Sequence, residues 1–269
     1  MMLRLLESQE LEVYKMCNLT IDINAFCPLR CEFCYQNLDG SVLSENEIFS
    51  IVDEHPNFDT VEIGGGEPFS DNRLVDIIKG LRSRDRKVHV STSGVSIPEG
   101  LLDLSDEVRS GVQIQVSLHA STPELFNRIT QTSNEKFFDR VVKNLKKLKE
   151  KYTTLISSTI YQSNLDDVPN IVDLANNLRV PIRVNLAFPT RNNVDLLTSE
   201  QIDQLRGYLL VQRILTNGSV DSPLVHKNNC TAITQAYGIE KQGICPVDCN
   251  RKKYVSPKGK ISQCEFLEV

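Results

Sequence analysis

Three observations predict an α/β fold built as a partial (β/α)6 TIM-like barrel with parallel strands. Strand-like and helix-like runs alternate six times along the chain. The strand-like runs alternate apolar and polar residues, as Val112, Ile114, Val116 and Leu118 do against Gln113, Gln115, Ser117 and His119. Cysteine and glycine motifs follow the first and second of these runs, the end of a strand at which such arrays place their chemistry. Repeated βα units imply parallel strands joined by crossover helices.

The predicted strands are 19–26, 60–63, 87–93, 112–118, 155–161 and 182–188. Between them, Ile48/Ile51/Val52, Leu74/Ile77/Ile78/Leu81 and Val168/Ile171/Val172/Ala175 keep the i, i+3, i+4 spacing of helices packed on a sheet. Ser44 with Glu47, Ser121 with Glu124 and Thr198 with Gln201 read as capping boxes that open three helices. If the apolar face of each strand meets the helices, the polar face looks inward. Asp22, Asn24, Glu62, His89, Ser91, Ser93, Arg183 and Asn185 then join the polar set of 112–118 inside the barrel. A closed barrel fills its interior with branched apolar side chains, so a polar lumen in six units predicts a lateral opening and a sizeable polar substrate. Any one of these residues also reads as an internal hydrogen-bonding partner. The polar stretch 217–229, with Gly218 and Pro223, reads as a linker dividing a barrel, 1–216, from a short cysteine-bearing subdomain, 217–269.

The chain has 269 residues and a formal net charge of −5, with no basic stripe interleaved with aromatics, so no nucleic-acid partner is expected. The lysine-rich stretch 143–151 reads as the solvated face of an amphipathic helix. No apolar run approaches membrane-spanning length and residues 1–10 lack a signal-peptide core, so a cytoplasmic location and no membrane partner are expected. Eight cysteines, mostly in two groups at opposite ends of the chain, fit metal ligation better than a disulfide framework. Cys17 stands outside both groups.

Cys27, Cys31 and Cys34 share one short loop. Three thiolates so placed suit three corners of an iron-sulfur cube and leave the fourth iron open. Zinc, the alternative, usually takes Cys-x2-Cys pairs and a fourth ligand, and no His or further Cys lies nearby in sequence. The run Cys27-x3-Cys31-x-Phe33-Cys34, followed by Gly64-Gly65-Gly66-Glu67-Pro68, resembles the signature of the radical S-adenosylmethionine superfamily. The resemblance implies a 4Fe-4S cluster on the three cysteines, with S-adenosylmethionine chelating the open iron through its amino and carboxylate groups. It further implies one-electron cleavage to a 5′-deoxyadenosyl radical, hydrogen abstraction from substrate, and a reductant such as flavodoxin or ferredoxin. By the same resemblance Phe33, or less directly Tyr35, lies near the adenine, and Gly64, Gly65, Gly66, Glu67 and Pro68 lie near the methionine amino group. Glycine there permits close backbone approach. Thr92, Ser93, Ser117, Arg128 and Asn164 are the counterparts of residues that meet the ribose and the methionine carboxylate. The Arg128 fork suits a carboxylate, although a plain surface arginine fits the position equally. Ser117, His119 and Asn185 are the candidate substrate contacts, with His119 and Asn185 the catalytic candidates; His119 also reads as a structural hydrogen-bonding residue.

Cys230, Cys245, Cys249 and Cys264 form the second group, and the residues between Cys249 and Cys264 look like a hairpin turning at 257–259. The segment resembles the SPASM or twitch subdomain of the same superfamily, which implies a second, auxiliary 4Fe-4S cluster. Its fourth ligand is Cys230, or one iron stays open; a four-cysteine zinc site is the alternative. The reaction implied is oxidation, crosslinking or epimerisation of a peptide or protein residue, with a separate peptide-recognition protein expected because the N-terminus contains no evident leader-binding module. The alternatives are a small-molecule radical enzyme, either an aminosugar dehydrogenase or a nucleotide cyclase, and a non-catalytic iron-sulfur or zinc scaffold or sensor. The basic Gly-Arg-rich ending of the cyclases is missing here.

Overall fold

Six strands run in chain order across one parallel sheet: β1 (Asn18–Asp22), β2 (Thr60–Gly64), β3 (Lys87–Thr92), β4 (Val112–Ser117), β5 (Thr153–Ile160) and β6 (Ile182–Leu186). The structure is a computed structural model and describes residues 18–188, 194–225 and 252–262. The two edges are extended by later parts of the chain. β7 (Val220–Asp221) pairs parallel with β6, β8 (Lys252–Val255) pairs parallel with β1, and β9 (Ile261–Ser262) folds back antiparallel on β8. Both edge additions lie beyond residue 216 yet belong to the same sheet as the six units.

The helices are α1 (Glu45–Asp53), α2 (Leu74–Arg82), α3 (Asp106–Arg109), α4 (Pro123–Thr130), α5 (Phe137–Leu148), α6 (Val168–Leu178) and α7 (Ser199–Leu215). Their apolar stripes cover the outer face of the sheet. Leu19, Ile21, Val61, Ile63, Val88, Val90, Ile114 and Val116 are buried with Ile48, Leu74, Ile77, Ile78 and Leu81 in one core, each contributing about 2 kcal/mol. On α5 the exposed Lys143, Lys146 and Lys147 stand opposite buried Val141, Leu145 and Leu148, the solvated face expected. Among the described residues no helix is long and apolar enough to cross a membrane.

The structure differs from the sequence reading in two local features. β1 stops at Asp22: the Ile23 N–H still donates to the Gly64 carbonyl at 3.1 Å, but Asn24 then bridges Val42 and the Ala25 N–H donates to the Ser41 carbonyl at 2.7 Å. The capping boxes at Ser44 and Thr198 form, but α4 is capped by Thr122 and not by Ser121. Pro123 has no N–H and fits the first helical position, which leaves Thr122 as the cap. Ser121 instead donates its N–H and hydroxyl to the Asp167 carboxylate at 2.7 and 2.6 Å. The hairpin turning at 257–259 is present, with Gly259 at φ +75°.

Candidate active site

The cysteine loop leaves β1 and docks on the end of α4. The N–H groups of Arg30 and Glu32 donate to the carbonyls of Thr130 and Ile129, each at 3.0 Å, which satisfies acceptors that a helix C-terminus leaves unpaired. A turn closed by the Cys34 N–H on the Cys31 carbonyl, 3.0 Å, draws the last two cysteines together. Cys27, Cys31 and Cys34 are half-buried and border a single cavity of about 680 Å³. Burial raises all three thiols, Cys27 to about 11, and the charges of neighbouring cysteines add to the rise at Cys27 and Cys31. Without a cation these thiols hold their protons; a bound metal reverses that preference.

The donor set fits an iron-sulfur cluster better than a single ion. Among the described residues no three His, Cys, Asp or Glu side chains converge as one metal ion requires. The three sulfurs are soft ligands that face open cavity, and the Leu29 N–H donates to Cys27 Sγ at 3.4 Å, the kind of bond that tunes such clusters.

The glycine run is required by protein packing. A Cβ on Gly65 would lie 2.3 Å from the Asn24 carbonyl oxygen, and one on Gly66 would lie 2.2 Å from that of Phe26. Gly65 also sits at φ +127°. The glycines therefore let the β2 loop press against the cysteine loop, a packing role beside the ligand approach that the sequence reading gave them, and all three also line the cavity.

Glu67 ties that loop to the next. Its carboxylate is buried and accepts from the Phe69 N–H at 2.8 Å, the Thr92 hydroxyl at 2.5 Å and the Ser93 N–H at 2.6 Å. Burial nevertheless raises its pKa, with those donors opposing, so a cation arriving beside it would favour the charged form. Pro68 is buried at the start of a short 3-10 turn and does not line the cavity.

Below the rim, the predicted inward residues do face one lumen: Asp22, Glu62, His89, Ser91, Ser93, Gln113, Gln115, Ser117, His119, Arg183 and Asn185 all line it, with Phe33, Tyr35, Gly64, Gly65, Gly66, Glu67 and Thr92 at its mouth. At the floor, burial would raise Glu62, but Lys252, the Thr20 hydroxyl, His89 and Arg183 outweigh it and hold the carboxylate below its ordinary range. Burial lowers His89 against the pull of Glu62.

His119 is buried, and its Nδ1 accepts from the Thr159 N–H at 3.0 Å. Burial lowers its pKa to about 3, so the ring is neutral, with its proton on Nε2. Its ring meets Phe33 edge-on, with 4.6 Å between centroids. Asn185 donates to Ser157 Oγ at 3.1 Å.

Three further predicted residues stand elsewhere. Asn24 is buried behind the wall, donating to the Glu67 carbonyl at 3.4 Å. Arg128 is exposed, away from the cavity, with its guanidinium donating to the Ser163 carbonyl at 3.3 Å. Asn164 is fully buried and spends its side chain on the carbonyls of His119 and Thr159 and the N–H of Tyr161. It staples β4 to β5 and does not face the lumen.

Sequence reasoning missed Gln36, Lys252 and Tyr254. Gln36 and Tyr254 both donate to Asp22 Oδ2, at 2.5 and 2.7 Å, and Lys252 stands 3.9 Å from Glu62. The last two arrive on β8, whose pairing with β1 leaves no local signal. Cys17, Cys230, Cys245, Cys249 and Cys264 lie outside the described residues.

The sequence profile of the Radical SAM superfamily matches residues 21–175, the span holding both motifs and four of the six core strands in full. The chain belongs to the radical SAM superfamily. A probable GTP 3′,8-cyclase of Saccharolobus islandicus is 30% identical over 268 residues, covering 93% of this chain and 83% of that protein. The mycofactocin maturase MftC of Mycolicibacterium smegmatis is 26% identical, covering 92% of this chain and 64% of MftC. In fold, the radical SAM chain is similar to Streptococcus suis SuiB, solved bound to its precursor peptide SuiA, with a TM-score of 0.72 at 16% identity. That likeness covers 97% of this chain and 63% of SuiB, so the chain spans less than two thirds of the SuiB length.

Proposed function

We propose that this radical SAM enzyme uses its lumen to hold a peptide or protein residue for oxidation, crosslinking or epimerisation. The observation that carries the reading is the opening of three cysteines and the glycine loop onto one cavity of about 680 Å³ whose wall carries many polar side chains. Cys27, Cys31 and Cys34 would hold the cluster, and Gly64, Gly65, Gly66, Glu67, Thr92, Ser93, Ser117, Phe33 and Tyr35 would surround the cofactor. When bound, the cluster and S-adenosylmethionine supply a 5′-deoxyadenosyl radical for hydrogen abstraction. The protein's own part is to place the C–H bond and exclude other donors. Gln113, Gln115, Ser117 and Asn185 offer hydrogen-bonding side chains suited to a peptide amide, and Glu67 offers a carboxylate suited to the cofactor ammonium.

In this reading residues 217–269 carry the auxiliary 4Fe-4S cluster on Cys230, Cys245, Cys249 and Cys264, an external reductant feeds the first cluster, and a separate protein recognises the peptide. A second reading, cyclisation of a purine nucleotide, is favoured by the relative at 30% identity. Anaerobically reconstituted, reduced protein should release 5′-deoxyadenosine from S-adenosylmethionine, and replacing all three loop cysteines by alanine should abolish release. Undiminished release in that variant overturns the radical reading. Conversion of GTP to a cyclised product would select the second reading over the first. Near eight irons per chain supports the auxiliary cluster, whereas four irons and one zinc contradicts it.

A further inference from the structure

Tyr161 follows β5, far in sequence from the cysteine motif, yet it reaches the middle of that motif. Its hydroxyl donates to Glu32 Oε2 at 2.6 Å, and Glu32 lies between Cys31 and Phe33. The Tyr161 ring is 1% exposed and meets Phe33 edge-on, with 5.6 Å between centroids. His119 meets the same ring at 4.6 Å. Both flanking residues are themselves fixed. Asn164 accepts from the Tyr161 N–H at 3.0 Å and donates to the His119 and Thr159 carbonyls at 2.9 Å, while the Thr159 N–H holds His119 Nδ1. Phe33 is thus seated between two rings whose backbones one asparagine ties together. Sliding the Cys31–Cys34 turn would break the bond from Tyr161 to a carboxylate, the stronger kind of hydrogen bond.

We propose that Tyr161 is a positioning residue for the cofactor: through Glu32 it holds the Cys31–Cys34 turn and the Phe33 ring in the orientation that binds S-adenosylmethionine. The inference rests on the radical SAM reading and adds a residue that does not line the cavity.

Two buried hydroxyls separate positioning from plain stability. Tyr152 is also buried, and its hydroxyl donates to the Leu101 carbonyl, away from the cavity. Tyr161→Phe and Tyr152→Phe each remove one hydroxyl and keep the ring. In reconstituted full-length protein, equilibrium dialysis with radiolabelled S-adenosylmethionine should show about tenfold weaker binding for Tyr161→Phe, as one bond to a charged group predicts, at wild-type iron content. Tyr152→Phe should change binding by less than about twofold. Glu32→Gln, which keeps an acceptor oxygen, should stay within about threefold of wild type. Should Tyr161→Phe fail to fold, Glu32→Ala removes the same bond and must show the same weakening. Wild-type affinity without the bond, or equal weakening in both tyrosine variants, overturns the inference alone. A wild-type protein that binds no S-adenosylmethionine overturns the functional reading and the inference with it.

Discussion

At the cavity rim and just behind it the buried polar groups are satisfied by the protein itself, whereas on the wall below several half-buried ones are not. Glu67 accepts from three donors, and Asn164 makes three bonds, each within the fold. On the wall, the Gln113 and Ser117 side chains make no hydrogen bond among the described residues, and Arg183 stands 3.6 Å from Asp221 and otherwise acts through its charge on Glu62 and His89. Buried polar groups without partners are costly, so saturated ones mark a platform whose shape is fixed before any ligand arrives. Unspent groups facing an open lumen keep their capacity for a ligand. In the proposed reading, the contrast separates a rim suited to one constant cofactor from a wall suited to a particular substrate.

The rim can be broken most severely at Gly66. Gly66→Ala places a Cβ against the Phe26 backbone, and relief requires the cysteine loop to move. Overpacking of this kind costs about 1–3 kcal/mol, and iron uptake on reconstitution should fall at least about tenfold; full iron content would show the loop tolerates the shift. Asn164→Ala strands two carbonyls and one N–H and should lower stability by about 3 kcal/mol, read in urea unfolding. A loss under about 1 kcal/mol would mean the staple is dispensable.

The pH dependence tests more gently the ring on which Phe33 rests. His119 titrates near 3 in the folded state against an ordinary 6.5, so between these values the unfolded state binds the extra proton. Stability therefore falls as pH drops from about 6.5 towards 3, by up to about 1.4 kcal/mol per pH unit. His119→Gln should flatten that slope by up to one proton, and an unchanged slope would place the titration elsewhere. The smallest effect belongs to the wall. Gln113→Ala should leave stability within about 0.5 kcal/mol and leave cofactor cleavage intact, while the fraction of cleavage that yields substrate product falls. A stability loss above about 1.5 kcal/mol would show Gln113 to be structural and erase the contrast.

Much of this was legible from residue order. Period-two alternation in 112–118 placed Gln113, Gln115 and Ser117 in the lumen, because a strand cannot turn one polar residue inward without its i+2 neighbour. The spacing of Cys27, Cys31 and Cys34 placed three thiols together because a short loop allows little else. Asn164 and Arg128 were misplaced because each follows a strand or lies on a helix whose rotation depends on contacts far away. The glycine run was found in the right place with one of its neighbours unseen: its sequence announces close approach, but only the fold reveals that the backbone of Asn24 and Phe26 approaches too, beside the cavity that the same glycines line. Lys252 and Tyr254 reach the site on a strand paired with β1 across more than two hundred residues, and pairing at that range has no signature in either segment.

The central claim is that the open corner above Cys27, Cys31 and Cys34 receives S-adenosylmethionine directly. Electron-nuclear double resonance on the reduced, reconstituted protein with cofactor labelled by nitrogen-15 at its amino group measures that contact. The account predicts a resolved nitrogen coupling to the cluster, lost when the three cysteines become alanine. A reduced cluster whose spectrum is unchanged by saturating labelled cofactor would contradict it.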